Sequence, residues 1–134
     1  MYRFGHAVTE IQMPSKTALG SRLRKLVTRL ASASLDPDAV EDIELAVGEA
    51  LTNAVRYGVG PTIHVRVETM PWREITVEFD YPGGRFDTRI TRPRDLRNAE
   101  GGFGRLIIRA VTDGMEYTFH DGRTILRLSK RENA

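Results

Sequence analysis

Cysteine is absent from this sequence. With no thiol there is no disulfide, no zinc-thiolate centre and no cysteine nucleophile. Long apolar runs are missing too, and none approaches the about 18 residues of a membrane-spanning helix. The opening residues Met1-Tyr2-Arg3-Phe4-Gly5-His6 contain no apolar secretory core, so a cytoplasmic protein without a membrane segment is expected. Neither sign of charge dominates. Lys and Arg number 20 against 18 Asp and Glu, for a net charge of +2. No basic stripe interleaved with aromatics runs along the chain, so direct nucleic-acid binding is not expected. Repeats, linkers and low-complexity segments are also lacking. What remains is 134 residues, 40% hydrophobic and 28% charged, the balance of one ordinary globular domain expected to span 1–134.

The hydrophobic pattern divides that domain into elements. Phe4, His6 and Val8, with polar residues between them, predict an opening strand to about Gln12. Ser15 or Thr17 is placed to cap a helix whose face is Leu19, Leu23, Leu26, Val27 and Leu30. A second helix has a sharper start. Asp36 suits the N-cap, Pro37 the first helical position, and Asp38, Glu41 and Asp42 the positive end of the dipole. It is expected to reach Tyr57 and stop at Gly58. Alternation over Ile63-Val65-Val67 and Ile75-Val77-Phe79 predicts two strands joined as a hairpin through Met70 to Glu74.

From Asp80 to Gly104 the periodicity disappears, and a structureless stretch of roughly 20 residues in a small domain is usually functional or disordered. It holds a cluster of Arg85, Arg89, Arg92, Arg94 and Arg97. A helix bearing Phe103, Leu106, Ile107, Ala110 and Val111 follows. Met115-Tyr117-Phe119 and Thr124 to Ser129 then predict two strands about a turn at His120-Asp121-Gly122-Arg123. The order β-α-α-β-β-loop-α-β-β predicts an α+β, two-layer α/β sandwich, with a mostly antiparallel sheet packed on helices.

The second helix carries the chemistry. At 100° per residue from Asp42, its apolar residues Ile43, Val47, Ala50 and Ala54 centre at about 120°, whereas Glu49 and Asn53 fall at about 340° and 20°. A carboxylate and a carboxamide are thereby stacked one turn apart, beside the small Ala46 and off the core centre. The Asn53 amide oxygen suits a hard cation such as Mg²⁺, and Glu49 can take a proton from an attacking hydroxyl or water. On spacing alone, a solvated helix face explains the same pair.

The stretch Glu44-Leu45-Ala46-Val47-Gly48-Glu49-Ala50-Leu51-Thr52-Asn53-Ala54-Val55-Arg56-Tyr57-Gly58 resembles the N-box of the bacterial anti-sigma factor serine-protein kinases, within the GHKL or histidine kinase-like ATPase superfamily. Gly101-Gly102-Phe103-Gly104 before an apolar helix is similar to that family's second glycine box, and Asp121-Gly122-Arg123-Thr124 to its Gly-x-Thr segment. The likeness extends over nearly the whole chain. It implies the Bergerat ATP-binding fold, with ATP and Mg²⁺ as cofactors. By the same resemblance Asn53 is the Mg²⁺ ligand and Glu49 the general base. Asp80 meets the adenine, Thr124 lies near it, Gly102 and Gly104 let backbone N–H groups approach the phosphates, and Gly83, Gly84 and Phe103 complete the cofactor-binding set. Arg92, Arg94 and Arg97 fall in the family's ATP lid, where arginines neutralise phosphate or simply keep the loop solvated. Arg22, with Arg24 as its rival, takes the place of a partner-binding arginine.

The implied function is an anti-sigma factor that binds a sigma factor and uses Mg·ATP to phosphorylate a serine on an anti-anti-sigma (STAS-type) partner. The family usually forms homodimers. No phosphoacceptor-histidine helices stand ahead of the first helix, so a sensor histidine kinase is not expected. One departure opens a different class. The family's first glycine box reads Asp-x-Gly-x-Gly, whereas Asp80 is followed by Tyr81-Pro82-Gly83-Gly84-Arg85. Proline cannot adopt a positive φ, and a one-residue insertion is needed to bring Gly83 into use. The alternative is therefore an interaction module of the same fold with weakened or lost ATP binding; a related switch kinase activating a phosphatase is a third reading.

Overall fold

The computed structural model describes residues 7–70, 74–83 and 102–132, and of residues 102–105 the backbone alone. Five strands form one antiparallel sheet in the order β1-β2-β3-β5-β4. They are β1 (Ala7–Pro14), β2 (Thr62–Met70), β3 (Glu74–Pro82), β4 (Gly114–His120) and β5 (Arg123–Arg131). The described residues also form three α-helices: α1 (Gly20–Ser32), α2 (Pro37–Tyr57) and α3 (Gly102–Val111). This is the two-layer α+β arrangement that the pattern predicts.

Alternation explains why the helices cover one face of the sheet. On β2, Ile63, Val65 and Val67 are buried, and on β3 so are Ile75, Val77, Phe79 and Tyr81. The pairing Val65↔Phe79 and Val67↔Val77, continued by Phe79↔Leu126 and Val77↔Leu128, sets these side chains in register on one surface. Residues between them point the other way. His64 meets Glu10 at 3.2 Å, Arg66 meets Glu68 at 3.2 Å and Arg123 meets Asp80 at 2.9 Å on that polar outer face.

Helix α2 packs between α1 and α3 and lies on β3 and β5. Its start follows the expected signal, with Asp36 extended ahead of Pro37. The first helix begins differently from expectation. A 3₁₀ turn over Thr17–Leu19 leads directly into α1, and Leu19, rather than Ser15 or Thr17, precedes its first helical residue. Two polar links hold α2 in place. Thr28 Oγ1 on α1 donates to Glu44 at 3.0 Å, and the buried Lys130 ammonium on β5 meets Asp42 at 3.0 Å. Replacing Asp42 with an apolar residue would leave the buried Lys130 ammonium poorly solvated.

The C-terminus of α2 is tied to the end of β3. Gly58 N–H donates to the Ala54 carbonyl at 2.9 Å, and Val59 N–H donates to Pro82 at 2.9 Å. Gly58 and Gly83 form an isolated antiparallel bridge. Gly58 has an ordinary φ of −71°, so its requirement is space rather than backbone freedom. A Cβ there would stand 2.5 Å from the Ala54 carbonyl oxygen and 3.1 Å from Tyr81 Cδ2. Gly58→Ala is accordingly expected to destabilise the fold by about 1–3 kcal/mol through overpacking. A lowered urea midpoint with an unchanged slope would bear this out; a wild-type midpoint would contradict it.

Candidate functional site

The last turns of α2 present the two residues singled out by the sequence. Asn53 is only 2% exposed, and its Nδ2 has no hydrogen-bond partner. Glu49, one turn earlier, is half-buried and borders open space. It lines a hollow of about 280 Å³ with Arg24, Glu44, Leu45, Gly48 and Thr52. The 3.6-residue period therefore separates their roles. The amide is held in the interior, whereas the carboxylate stands where solvent or another molecule reaches it. Nearby, Arg24 lies against the backbone of Gly48, where a Cβ would come within 3.3 Å of its Nη1.

The two candidate arginines go to different places. Arg22 lies in an apolar groove with Ile11, Met13, Leu19, Leu23 and Leu26, between α1 and the edge strand β1. Arg24, not Arg22, shares the Glu49 hollow. The structure thus does not bring Arg22 to the carboxylate. The arginine spacing along α1 contained this distinction, because residues two apart cannot share a helix face.

At the end of β3 the structure departs from the expected site. Asp80, expected to meet an adenine, points to the outer face of the sheet. There its Oδ1 accepts Arg123 Nε at 3.0 Å and faces Nη2 at 2.9 Å. The reason is the pleat: Ile75, Val77 and Phe79 face the helices, so position 80 faces away and position 81 faces in. Tyr81 is the residue on the helix side, 1% exposed. Period-2 alternation would have found it, whereas motif order pointed to Asp80.

Pro82 is also accommodated differently from the motif alignment. It ends β3, and Gly83 beyond it adopts φ +76°, so the glycine conformation falls at Gly83. A Cβ on Gly83 would meet the Val59 side chain at 2.9 Å. Thr124 lies opposite Tyr81, fully buried, and its hydroxyl donates to the Gly83 carbonyl at 2.5 Å. Thr124 therefore clamps the glycine turn. Burial above all, with Tyr117 nearby, pushes the Tyr81 phenol well above its ordinary pKa, against a smaller opposing effect of Thr124. Tyr81 Oη itself has no hydrogen-bond partner.

Gly102, Phe103 and Gly104 form the first turn of α3. Their backbone belongs to a helix N-terminus, where unpaired N–H groups and the dipole favour an anion. Gly84 and the arginines from Arg85 to Arg97 lie outside the described residues. No group of three or more His, Cys, Asp or Glu among the described residues is arranged to hold a metal ion. A cation here would consequently rest on Asn53 and on oxygens brought by a ligand, as Mg²⁺ commonly does with phosphates. The Asn53 amide oxygen is the atom that could ligate such a cation, while the unpartnered Nδ2 beside it is a donor that a ligand oxygen could accept from.

A buried amide nitrogen without a partner costs stability, so a function-neutral fold would gain by losing it. Asn53→Leu, which keeps the branching of the side chain without its polarity, is expected to leave stability within about 1 kcal/mol of wild type or raise it. Urea denaturation measures this; a loss beyond about 2 kcal/mol would show that the amide is structural.

Residues 13–130 match the family described as the histidine kinase-like ATPase domain. No curated protein matches the chain. Among solved structures, the RsbU and RsbW domains of Rv1364c from Mycobacterium tuberculosis are similar at 15% identity and a TM-score of 0.71. That likeness covers 93% of this chain but only 32% of the other, so this chain corresponds to about a third of that structure. The Acinetobacter baumannii histidine kinase AdeS is similar at 17% identity and a TM-score of 0.53, over 96% of this chain and 70% of that one. The histidine kinase domain from the Erythrobacter litoralis EL346 blue-light activated histidine kinase matches at 17% identity and a TM-score of 0.51, over 88% and 61%. At these identities the structural likeness is one of fold. With the family match over nearly its full length, the chain belongs to the histidine kinase-like ATPase domain family.

Proposed function

We propose that this chain is a nucleotide-dependent protein kinase of the partner-switching kind: it binds a sigma factor and phosphorylates a serine on an anti-anti-sigma, STAS-type protein. The observation that carries the reading is the buried Asn53, its amide nitrogen without a partner, one turn from a Glu49 that borders an open hollow. A ligand held at Asn53 and a hydroxyl entering from the hollow would approach α2 on either side of the carboxylate. Similarity in fold to the RsbW domain of Rv1364c supports the same assignment.

In this reading Asn53 holds Mg²⁺, and the α3 N-terminus at Gly102 and Gly104 receives phosphate oxygens. ATP would supply the phosphoryl group, with Mg²⁺ neutralising its charge. Glu49 accepts the proton of the seryl hydroxyl, and Arg24 beside it orients the incoming segment. Catalysis by positioning and charge neutralisation needs little more than one base and one metal ligand. Pairing as a homodimer is part of the same proposal. A second reading, an interaction module with weakened or lost ATP binding, draws on Tyr81, which stands on the helix side of β3 where Asp80 was expected.

Calorimetric titration with Mg·ADP and Mg·ATP separates the two readings. The kinase reading expects dissociation constants in the micromolar range, about −8 kcal/mol of binding. No heat and no thermal shift at millimolar nucleotide would overturn it. Where nucleotide binds, Asn53→Ala is expected to remove the Mg²⁺ dependence. Glu49→Ala is expected to lower phosphoryl transfer at least about 100-fold while sparing nucleotide affinity. Retained transfer in that variant would show that Glu49 is not the base.

A further inference from the structure

Arg24 is half-buried, and among the described residues it forms neither a hydrogen bond nor an ion pair. That is unexpected where it stands, because Glu44 and Glu49 border the same hollow. Glu44 is taken up by Thr28, whose hydroxyl donates to it at 3.0 Å. Glu49, like Arg24, has no partner among the described residues. A guanidinium and a carboxylate that share a partly buried hollow gain by closing on one another, since the fork of donors matches the two oxygens. Here they stay apart.

The reason lies in two glycines. Long side chains on a helix lie back over the preceding turn, so Arg24 runs toward residue 20. A Cβ on Gly20 would stand 3.3 Å from Arg24 Nη1. From α2, a Cβ on Gly48 would stand 3.3 Å from the same nitrogen and 3.4 Å from Arg24 Cδ. Neither glycine is required by its backbone. Gly20 has φ −59° and ψ −39°, and the positive-φ glycines among the described residues are Gly83 and Gly122. Both Gly20 and Gly48 lie inside regular helices, where glycine costs stability relative to alanine. Two such glycines, on different helices and against one nitrogen, are accounted for by the room they leave the guanidinium.

We propose that Gly20 and Gly48 are positioning residues: together they form a seat that holds the Arg24 guanidinium off Glu49, so that cation and carboxylate both stay free for the segment entering the hollow. The proposal rests on the kinase reading above, in which Glu49 takes the seryl proton. A carboxylate already paired with a guanidinium is a weaker proton acceptor, because the pair favours its charged form. One added Cβ asks the flexible end of Arg24 to give by a few tenths of an ångström. Methyl groups on both sides close the seat and turn the guanidinium out into the hollow, where Glu49 is the carboxylate without a partner.

Double-mutant cycles between Arg24→Met and Glu49→Gln, read as urea midpoints in two backgrounds, test the seat without nucleotide or partner. In the wild-type background the two shifts are expected to add. In the Gly20→Ala/Gly48→Ala background the double substitution is expected to lower the midpoint no further than either single one, the mark of a pair that has formed. Equal coupling in the two backgrounds would overturn the seat. Gly20→Ala/Gly48→Ala by itself is expected to keep or raise the wild-type midpoint, because alanine is the better helix former; a lowered midpoint would show that the glycines serve packing instead. The consequence for the base is read from phosphate release by Mg·ATP, with water in place of the seryl hydroxyl. Gly20→Ala/Gly48→Ala is expected to slow it about tenfold at unchanged Mg·ADP affinity. An unchanged rate would overturn the link from the seat to Glu49. A wild type that binds no nucleotide or releases no phosphate would overturn the kinase reading, while the cycles still decide the seat.

Discussion

The seating of α2 is the constraint on which the rest of the structure depends. Ala39, Ala46, Ala50 and Ala54 are all fully buried along this helix. Side chains that small let α2 come close to the sheet and to both neighbouring helices at once. Interiors packed to crystal-like density do not absorb added methylene groups there, so a larger residue at any of these positions would displace the helix as a body. Asn53 would move with it, since it rides on the same rigid backbone two turns from Ala46.

The sheet imposes a complementary constraint. Its pleat admits no compromise about which residues look inward. β3 buries Ile75, Val77, Phe79 and Tyr81 and turns Thr76, Glu78 and Asp80 outward. Their burial, about 1.5–3 kcal/mol for each large apolar side chain, outweighs any local preference for where Asp80 might point. The chemistry at the end of β3 is therefore decided by packing farther back along the strand.

This explains what was legible in the sequence. The α2 boundaries follow from Asp36-Pro37 and Gly58, and its two faces follow from a 3.6-residue period, because both depend on local geometry. The strands were legible for the same reason. Asp80 was placed by its order in a motif, and the pleat, which the sequence also contained, assigns the inward position to Tyr81. The glycine conformation at Gly83 was harder to read. It depends on the bridge to Gly58 and the hydrogen bond from Thr124, both made by residues distant in sequence. Arg22 and Arg24 differ only in which side of α1 they occupy, and that is set by the packing of α1 on α2. The Arg85 to Arg97 cluster and Gly84 lie outside the described residues.

The two ends of α2 are fastened by different means. Near its start Asp42 holds the buried Lys130 of β5. Past its end Gly58 is bridged to Gly83, and Val59 is bonded to Pro82. A rod pinned at both ends to the same sheet can neither slide along its axis nor roll about it without breaking one of these attachments. Communication between the Arg24–Glu49 hollow and the interior amide at Asn53 is then confined to side-chain rearrangement across a single helical turn, and the two flanks of α2 work as a fixed wall with a carboxylate at its rim.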